Sequence, residues 1–275
     1  MFRTTITIMS LVFLASCAVT PQVTPAARAD LAPTGKLRVG INFGNPLFAT
    51  RDPKTGESSG IAVDLAREFG RRLGVPVELV GYKSAGQLTG ALSAGAWDVA
   101  FLAFEQARAK EISFSAPFAE IDGTYLVPAG SPLRTAADVD QKGVRIAVTA
   151  KGGNELFLTR TLKHATLVRA PSPDAALKRF VADKLEAYAG LKPTLLAISD
   201  KLPGSRVVEG RYTVIGYSAG VPRGRDAGAQ YLGEFIEDAK ASGLVARSIE
   251  KSGVRGVTVA PPAQGGSRIE IGGSM

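Results

Sequence analysis

The sequence predicts an α/β protein built of two lobes. Two observations lead to this prediction: a strand–helix–strand–helix–strand pattern occurs twice along the chain, and the segment between the copies, FSAPFAEIDGTYLVPAGSP, is extended. A chain of 275 residues is long enough for two lobes of ordinary size. The strands of such a pattern run parallel, and ligands bind at their carboxyl ends. We therefore expect two lobes, each a mostly parallel sheet flanked by helices, joined by two hinge strands around a cleft.

The first copy begins with KLRVGINF, whose apolar run predicts a buried strand. In GIAVDLAREFGRRLG, apolar residues recur at helical spacing and the pattern stops at Gly74, which predicts a helix ended by a glycine. A second strand, a short helix and a third strand follow in VPVELVGY, AGQLTGALSAG and WDVAFLAF. These elements complete one parallel unit.

The second copy follows Thr135–Asp138, a sequence typical of a capped helix start. Strand, helix, strand, helix and strand are predicted in GVRIAVTA, ELFLTRTLKHA, TLVRA, PDAALKRFVAD and KLEAYAGL. RYTVIGYSAGVPRG then predicts a return strand, and GAQYLGEFIEDAKASG predicts a helix with one apolar face.

The return strand divides the chain into discontinuous lobes. We expect residues 37–120 and 217–260 to form lobe 1, and residues 121–216 to form lobe 2. The last stretch, 261–275, is rich in Gly, Ser and Pro and is expected to be a disordered tail.

Composition narrows the classes of function. Apolar residues make up 45% of the chain and charged residues 21%, which is typical of a soluble globular protein. The net charge of +8 is scattered and forms no basic patch with interleaved aromatic residues, so we expect no nucleic-acid partner. One cysteine excludes an internal disulfide, and one histidine without an HExxH motif argues against catalytic zinc. We expect no metal and no cofactor.

The amino-terminal segment predicts export. Arg3 precedes an apolar run from Ile6 to Phe13, which is too short to span a bilayer but fits the hydrophobic region of a signal peptide. No second apolar segment of membrane-spanning length follows. We therefore expect a periplasmic protein that meets a membrane only through an amino-terminal anchor.

Two cleavage sites compete in this segment. The tetrapeptide LASC resembles a bacterial lipobox, with residues 1–16 as the signal peptide and Cys17 as the lipid-modified residue. Ala27–Ala29 fits an ordinary secretory site, with residues 1–29 as the signal peptide. We favour the lipobox because it directly follows the apolar run, which leaves residues 17–36 as a tether rich in Pro, Ala and Thr.

The pentapeptide GYSAG matches the G-x-S-x-G motif that presents a nucleophilic serine in α/β-hydrolases. That motif needs a helix directly after the serine, yet Pro222 and Gly224 follow Ser218. The catalytic triad of those enzymes also needs a histidine downstream, and the single histidine, His164, lies upstream. We interpret Ser218 as a strand residue and expect no catalytic residue here.

Four segments carry a resemblance to a known family: LRVGINFGNPLFA, GIAVDLAREFGRRLGV, GAWDVAFLAFEQARAKEISFSAPF and QYLGEFIEDAKASGLVARSIEKSG. From about Lys36 to Val259 the chain resembles the family 3 extracellular solute-binding proteins, which capture polar amino acids and related solutes. The resemblance implies the type II periplasmic-binding-protein fold and a protein without enzymatic activity. It also implies a small-molecule ligand and an ABC transporter permease in the inner membrane as partner. We expect a monomer.

The resemblance implies a ligand site around Arg108. In family members the arginine at this position binds the ligand's α-carboxylate, whose two oxygens match the planar donors of a guanidinium. The alternative is an arginine at the surface or at a helix cap. Two nearby positions depart from the family pattern, because Ala103 stands where a Ser or Thr hydroxyl is usual and Glu105 replaces a Thr.

A third departure lies in lobe 2. DKLEAYAGL matches a family strand that usually ends in an aspartate for the ligand's α-ammonium, but here it ends in Leu191. A buried ammonium without a carboxylate partner is costly. Leu191 therefore predicts either a ligand other than an ordinary α-amino acid or a different acidic partner, for which Glu105 is the candidate.

The predicted order of strands and helices places further candidate ligand-binding residues at the cleft. Asn45 and Phe48 follow the first strand, where family members place an aromatic ring against the ligand, although Phe48 could equally fill the core. Tyr82 ends the second strand, where it could line the cleft or merely face solvent. Gly153 and Asn154 precede a helix of lobe 2, where they could hold an anionic group or simply form the turn.

Three functions stay open at this point. The leading one is capture of a small polar, carboxylate-bearing solute for an importer. The second is an exported dehydratase of prephenate-like acids on the same scaffold, with one acid and one base drawn from Glu105, Glu155 and Lys151. The third is a signalling or interaction module that keeps the two lobes without transport.

Overall fold

The computed structural model describes residues 22–150 and 153–263. The predicted signal peptide, Cys17, Lys151 and the stretch 264–275 of the expected tail lie outside these residues. Within the described ranges, no helix is both long and apolar enough to cross a membrane.

The helices of the described residues are named here in chain order: α1 (Pro25–Leu31), α2 (Ile61–Leu73), α3 (Ala85–Gly90), α4 (Gly153–Thr161), α5 (Pro173–Ala182), α6 (Lys192–Ser199), α7 (Asp226–Ala241) and α8 (Leu244–Ser252). The strands are β1 (Leu37–Asn42), β2 (Thr50–Arg51), β3 (Ser58–Ser59), β4 (Val77–Tyr82), β5 (Val99–Ala103), β6 (Ile112–Val127), β7 (Arg145–Thr149), β8 (Thr166–Ala170), β9 (Ala187–Leu191), β10 (Arg206–Val207), β11 (Thr213–Pro222) and β12 (Val257–Val259). Arg108–Lys110 and Ala136–Val139 form short 3₁₀ helices.

One large sheet runs through the molecule in the order β4-β1-β5-β11-β6-β9-β7-β8. β1 pairs in parallel with β4 and β5, and β7 pairs in parallel with β8 and β9. Between these two parallel groups lie the antiparallel strands β11 and β6, of which β6 is 16 residues long. The chain therefore passes from one parallel group to the other along β6 and returns along β11.

Buried apolar residues form separate clusters on the two sides of these central strands. The largest cluster and a smaller one around Trp97 draw on residues 27–121 and 219–257, and we call this part lobe 1. Two further clusters draw on residues 125–208, which we call lobe 2. Each lobe packs helices against a mostly parallel group of strands, so the predicted α/β fold class is confirmed.

The apolar spacing seen in the sequence marks the faces that become buried. In α2 the buried side includes Leu65, Phe69 and Leu73, and the helix ends at Gly74 with φ of 69°. Such a left-handed conformation carries no steric cost for glycine, which is why the helix stops there. In α7 the predicted apolar face is the buried one, with the side chains of Tyr231, Leu232, Phe235, Ile236 and Ala239.

The expected tether over 17–36 is wrong in its second half. Pro25–Leu31 forms α1, and the hydroxyl of Thr24 accepts a hydrogen bond from the backbone N–H of Ala27 at 3.1 Å. Leu31 is fully buried, and α1 packs against α7. Composition indicated a flexible segment, but a capped helix start with an apolar face finds a partner from the far end of the chain.

The first three residues of the expected disordered tail, 261–263, are held by contacts with α7. The carbonyl oxygen of Pro261 accepts a hydrogen bond from Nζ of Lys240 at 2.8 Å, and the backbone N–H of Ala263 donates to Glu237 at 3.1 Å. Residues 261–263 therefore lie against α7.

Lobe 2 differs from the prediction at two helices. α4 ends at Thr161 and not at Ala165, because the carboxylate of Asp140 accepts hydrogen bonds from the backbone N–H groups of 163–165. α6 was not predicted, although Pro193 in its first turn is typical of a helix start. Its eight residues follow β9 directly, without a loop to mark the boundary.

Candidate functional site

A cavity of about 170 Å³ opens at the carboxyl ends of β1 and β5 in lobe 1. Its wall is formed by residues that are distant in sequence: Asn42, Asn45, Phe48, Ala49, Ala62, Ala85, Phe101, Leu102, Ala103, Glu105, Arg108 and Tyr217. Five residues predicted from the sequence therefore lie together: Asn45, Phe48, Ala103, Glu105 and Arg108. They meet because parallel strands deliver their following loops to the same edge of the sheet.

Arg108 is held at the edge of the cavity by its own loop. Its Nη1 donates a hydrogen bond to the carbonyl oxygen of Ala103 at 2.9 Å, and its Nη2 lies 3.3 Å from Oε1 of Glu105. The Arg108 side chain is 17% exposed, whereas that of Glu105 is 57% exposed. The guanidinium is thus anchored to a backbone carbonyl on one side and meets a largely solvated carboxylate on the other.

An aromatic pair forms the inner wall. The rings of Phe48 and Tyr217 stack with centroids 3.9 Å apart and planes inclined by 23°. The amide of Asn45 donates a hydrogen bond to the Tyr217 hydroxyl at 3.0 Å. Phe48 is also buried against Phe118 in the lobe 1 core, so it both lines the cavity and fills the core.

Burial raises the pKa of Tyr217, and the hydrogen bond from Asn45 and the charge of Arg108 oppose this rise without cancelling it. The phenol therefore stays neutral at neutral pH. The neutral Tyr217 hydroxyl shares the cavity wall with the amides of Asn42 and Asn45 and the guanidinium of Arg108. It can bind polar groups of a ligand without adding charge to the cavity.

Sequence reasoning did not find Tyr217, the second residue of the GYSAG pentapeptide. β11 pairs antiparallel with β5, and Tyr217 lies opposite Ala103. The available signal was the return strand itself, because a strand paired with β5 must bring side chains next to the loop that carries Arg108. Asn42 and Phe101 were also missed, since they lie inside predicted strands and resemble core residues.

We expect the Tyr217 ring to matter more for stability than its hydroxyl. Tyr217→Phe keeps the stack on Phe48 and should lower the free energy of unfolding by about 1 kcal/mol through loss of one hydrogen bond. Tyr217→Ala should lower it by about 3–4 kcal/mol, because it also removes a buried ring. Urea unfolding of the three proteins measures both changes, and equal losses in the two variants would contradict this expectation.

Four predicted candidates do not line the cavity. The Tyr82 ring packs against the cluster around Trp97, so its place at the end of β4 does not bring it to the cavity. In lobe 2, Gly153 and Asn154 form the start of α4. Leu191 ends β9 and packs, half-buried, against apolar residues of the lobe 1 core. A leucine at this position contributes packing and no charge.

Ser218 lies in the middle of a strand. β11 continues through it to Pro222, and Ser218 is paired with Leu102 of β5. The side chain is 1% exposed, and among the described residues its Oγ has no hydrogen-bond partner. The predicted strand is confirmed, and the chain does not turn at Ser218 as a nucleophile elbow would require.

The remaining acid considered for catalysis is engaged elsewhere. Glu155 is buried in lobe 2, where it accepts hydrogen bonds from Nε of Arg169 at 2.8 Å and from the hydroxyl of Thr159 at 2.7 Å. It does not line the cavity. Across residues 22–150 and 153–263, no group of three or more His, Cys, Asp or Glu side chains could hold a metal ion.

Comparison with known proteins gives concordant matches. The family model of the bacterial extracellular solute-binding proteins, family 3, matches residues 37–253. The ABC transporter glutamine-binding protein GlnH of Bacillus subtilis (strain 168) is 20% identical over 230 residues, which cover 78% of this chain and 80% of that protein.

Solved structures show the same fold. An ancestral cationic amino acid solute-binding protein is 22% identical with a TM-score of 0.63, and the match covers 82% of this chain and 98% of that one. An ancestral cyclohexadienyl dehydratase is 25% identical with a TM-score of 0.58, over 82% of this chain and 95% of that one.

Proposed function

Because the chain belongs to the bacterial extracellular solute-binding proteins of family 3, we propose that it captures a small polar, carboxylate-bearing solute and delivers it to an ABC transporter permease. The observation that carries this proposal is the placement of Arg108 in the wall of the lobe 1 cavity, with its guanidinium fixed by the Ala103 carbonyl. A fixed guanidinium offers a planar pair of donors that matches a carboxylate.

The composition of the wall supports a small, partly apolar ligand. Asn42, Asn45 and the Tyr217 hydroxyl supply polar groups, while Phe48 and Phe101 supply apolar surface. Small-molecule sites in proteins combine these two features. A cavity of about 170 Å³ in lobe 1 accommodates a ligand of amino-acid size, which lobe 2 would cover when the lobes close.

Amino acids and their derivatives are the solute class that we propose. Of the similar proteins named above, one is described as glutamine-binding and another as a cationic amino acid solute-binding protein. Leu191 supplies no charge in lobe 2 for an α-ammonium group, so acidic recognition of an amino acid would fall to Glu105 in lobe 1.

A thermal-shift screen of the mature protein tests this function. The panel contains the proteinogenic amino acids, opines, small carboxylic acids and polyamines, because a ligand that binds the folded state raises the unfolding midpoint by mass action. We expect a shift with at least one carboxylate-bearing compound. Shifts confined to polyamines would contradict the proposal.

We also propose that the protein is exported and anchored through a lipid on Cys17. The alternative cleavage after Ala29 would cut through α1, whose Leu31 is fully buried. Cleavage before Cys17 keeps α1 whole, which supports the lipobox. Mass spectrometry of the mature amino terminus distinguishes an acylated Cys17 from a free Asp30.

A dehydratase is the second candidate function, favoured by the similarity to the ancestral cyclohexadienyl dehydratase. Glu105 would be the acid available in the cavity wall. Incubation with prephenate, followed by mass spectrometry of the products, tests it. Loss of water and carbon dioxide from prephenate at a rate that depends on Glu105 would replace solute capture by catalysis as the main function.

A further inference from the structure

We propose that Glu105 acts as an internal competitor for Arg108 and thereby selects against ligands with a net negative charge. This inference rests on the proposed binding function of the same cavity. Among the described residues of the cavity wall, Arg108 and Glu105 are the charged ones. Their charges cancel, so the cavity as a whole offers an incoming anion no net attraction.

The geometry places the Glu105 carboxylate where a ligand carboxylate would bind. Arg108 uses Nη1 for the Ala103 carbonyl at 2.9 Å, which leaves the Nη2 side for an acid, and Oε1 of Glu105 lies 3.3 Å from Nη2. In the part of the chain that the structure describes, no other acidic side chain forms an ion pair with Arg108. A carboxylate that enters the cavity must therefore share this guanidinium with Glu105 or move Glu105 away.

The difference in exposure makes Glu105 the partner that can move. Its side chain is 57% exposed and pairs with a residue only three positions away, whereas Arg108 is 17% exposed and anchored to backbone. Exposed pairs of this kind contribute little stability. A bound carboxylate would therefore leave the Glu105 charge a few ångströms away, where it repels a simple anion and attracts a ligand that also carries a cationic group.

L-Glutamine and glutaramate (4-carbamoylbutanoate) distinguish the repulsion of an anion by Glu105 from the attraction of an ammonium group. Glutaramate has the carbon skeleton and carboxylate of glutamine but lacks the α-ammonium group. We expect Glu105→Gln to increase the affinity for glutaramate about tenfold, since one like charge near the carboxylate is removed. The affinity for L-glutamine should stay the same or fall. Isothermal titration calorimetry with both compounds measures the ratio.

Glu111→Gln is the matched control. Glu111 lies in the same loop, is exposed, and is not part of the cavity wall, so this variant changes the protein charge by the same amount. It should leave the ratio of the two affinities unchanged. A purely structural role for Glu105, such as support of the 3₁₀ turn, would shift both affinities in the same direction and would overturn the proposal.

A second measurement needs no ligand. Phenylglyoxal modifies accessible arginines, and peptide mass spectrometry reports the rate at Arg108 separately. We expect this rate to rise about threefold or more in Glu105→Gln, in keeping with the release of a weak exposed pair, and not in Glu111→Gln. An unchanged rate would overturn the proposal. If the rate rises while neither compound binds any of the proteins, Glu105 still competes for Arg108 and it is the proposed ligand class that fails.

Discussion

Arg108→Ala is expected to weaken binding of the solute identified in the thermal-shift screen by about 30-fold to 5,000-fold, which corresponds to about 2–5 kcal/mol. The reason is that the ligand carboxylate would lose its bidentate partner and would remain in a wall whose other charge is the acidic Glu105. Isothermal titration calorimetry measures the change. An unchanged affinity would remove Arg108 from the site.

Two further variants test whether the loss of affinity is due to the guanidinium of Arg108 or to its positive charge alone. Arg108→Lys keeps the charge but not the planar fork, so its affinity should lie between those of the wild type and Arg108→Ala. Lys110→Ala removes an exposed positive charge from the same 3₁₀ turn and should bind as the wild type does. A loss in Lys110→Ala as large as that in Arg108→Ala would show that general charge, and not the guanidinium, attracts the ligand.

The second large effect is expected at Asp98, far from the cavity at the amino end of β5. Its carboxylate is fully buried and binds two arginines: Nε and Nη2 of Arg38 at 2.9 and 2.7 Å, and Nη1 of Arg225 at 2.9 Å. These contacts join β1, β5 and the residue before α7. Asp98→Ala would leave two half-buried guanidinium groups without their acid, which should lower the free energy of unfolding by about 3–5 kcal/mol.

Lobe 2 supplies a matched control for this variant. Glu186 binds Arg145 at the start of β7 in the same way, with Nε at 3.0 Å and Nη2 at 2.9 Å, but this pair is 36% and 44% exposed. Glu186→Ala should therefore cost no more than about 1 kcal/mol. Urea unfolding compares the two variants. Similar decreases in the free energy of unfolding would show that burial does not determine how much the Asp98 contacts contribute to stability.

The same contacts predict a dependence on pH. Burial by itself would raise the pKa of Asp98, but the hydrogen bonds from Arg38 and Arg225 outweigh it and hold the pKa below its usual range. Since the pKa is lower in the folded protein than in the unfolded chain, this stabilisation is present above about pH 4 and is lost as the pH falls through the folded value. In Asp98→Asn, which cannot titrate at this position, the free energy of unfolding should fall less steeply as the pH is lowered below about 4. Acid unfolding of both proteins measures the difference.

Sequence patterns were sufficient where local physics decides the structure. Apolar spacing marked the buried faces of α2 and α7, and Gly74 marked a helix end because few other residues adopt its backbone conformation. The repeated strand and helix pattern gave the fold class, since a parallel strand pair requires a crossover. Pro222 and Gly224 argued against a helix directly after Ser218, and β11 continues through Ser218 to Pro222.

The cavity was predictable only in part. Glu105 and Arg108 follow Ala103, the last residue of β5, and Asn45 and Phe48 lie in the loop after β1, so a family motif and strand order were enough to select them. Tyr217 comes from more than a hundred residues further along the chain. Its place opposite Ala103 depends on the pairing of β11 with β5, which no local pattern encodes.

By itself, the sequence determined the class of fold, the order of the repeated strands and helices in each lobe and the loop that carries Arg108, because these depend on periodicity and on residue types at fixed spacing. Tertiary structure alone decided which long-range partners meet. It turned part of the expected tether into α1 by giving Leu31 a place against α7, and it placed the Phe48–Tyr217 stack in the cavity wall. It also set the unequal burial of Arg108 and Glu105, since exposure depends on every segment that packs around a residue and not on its neighbours in sequence.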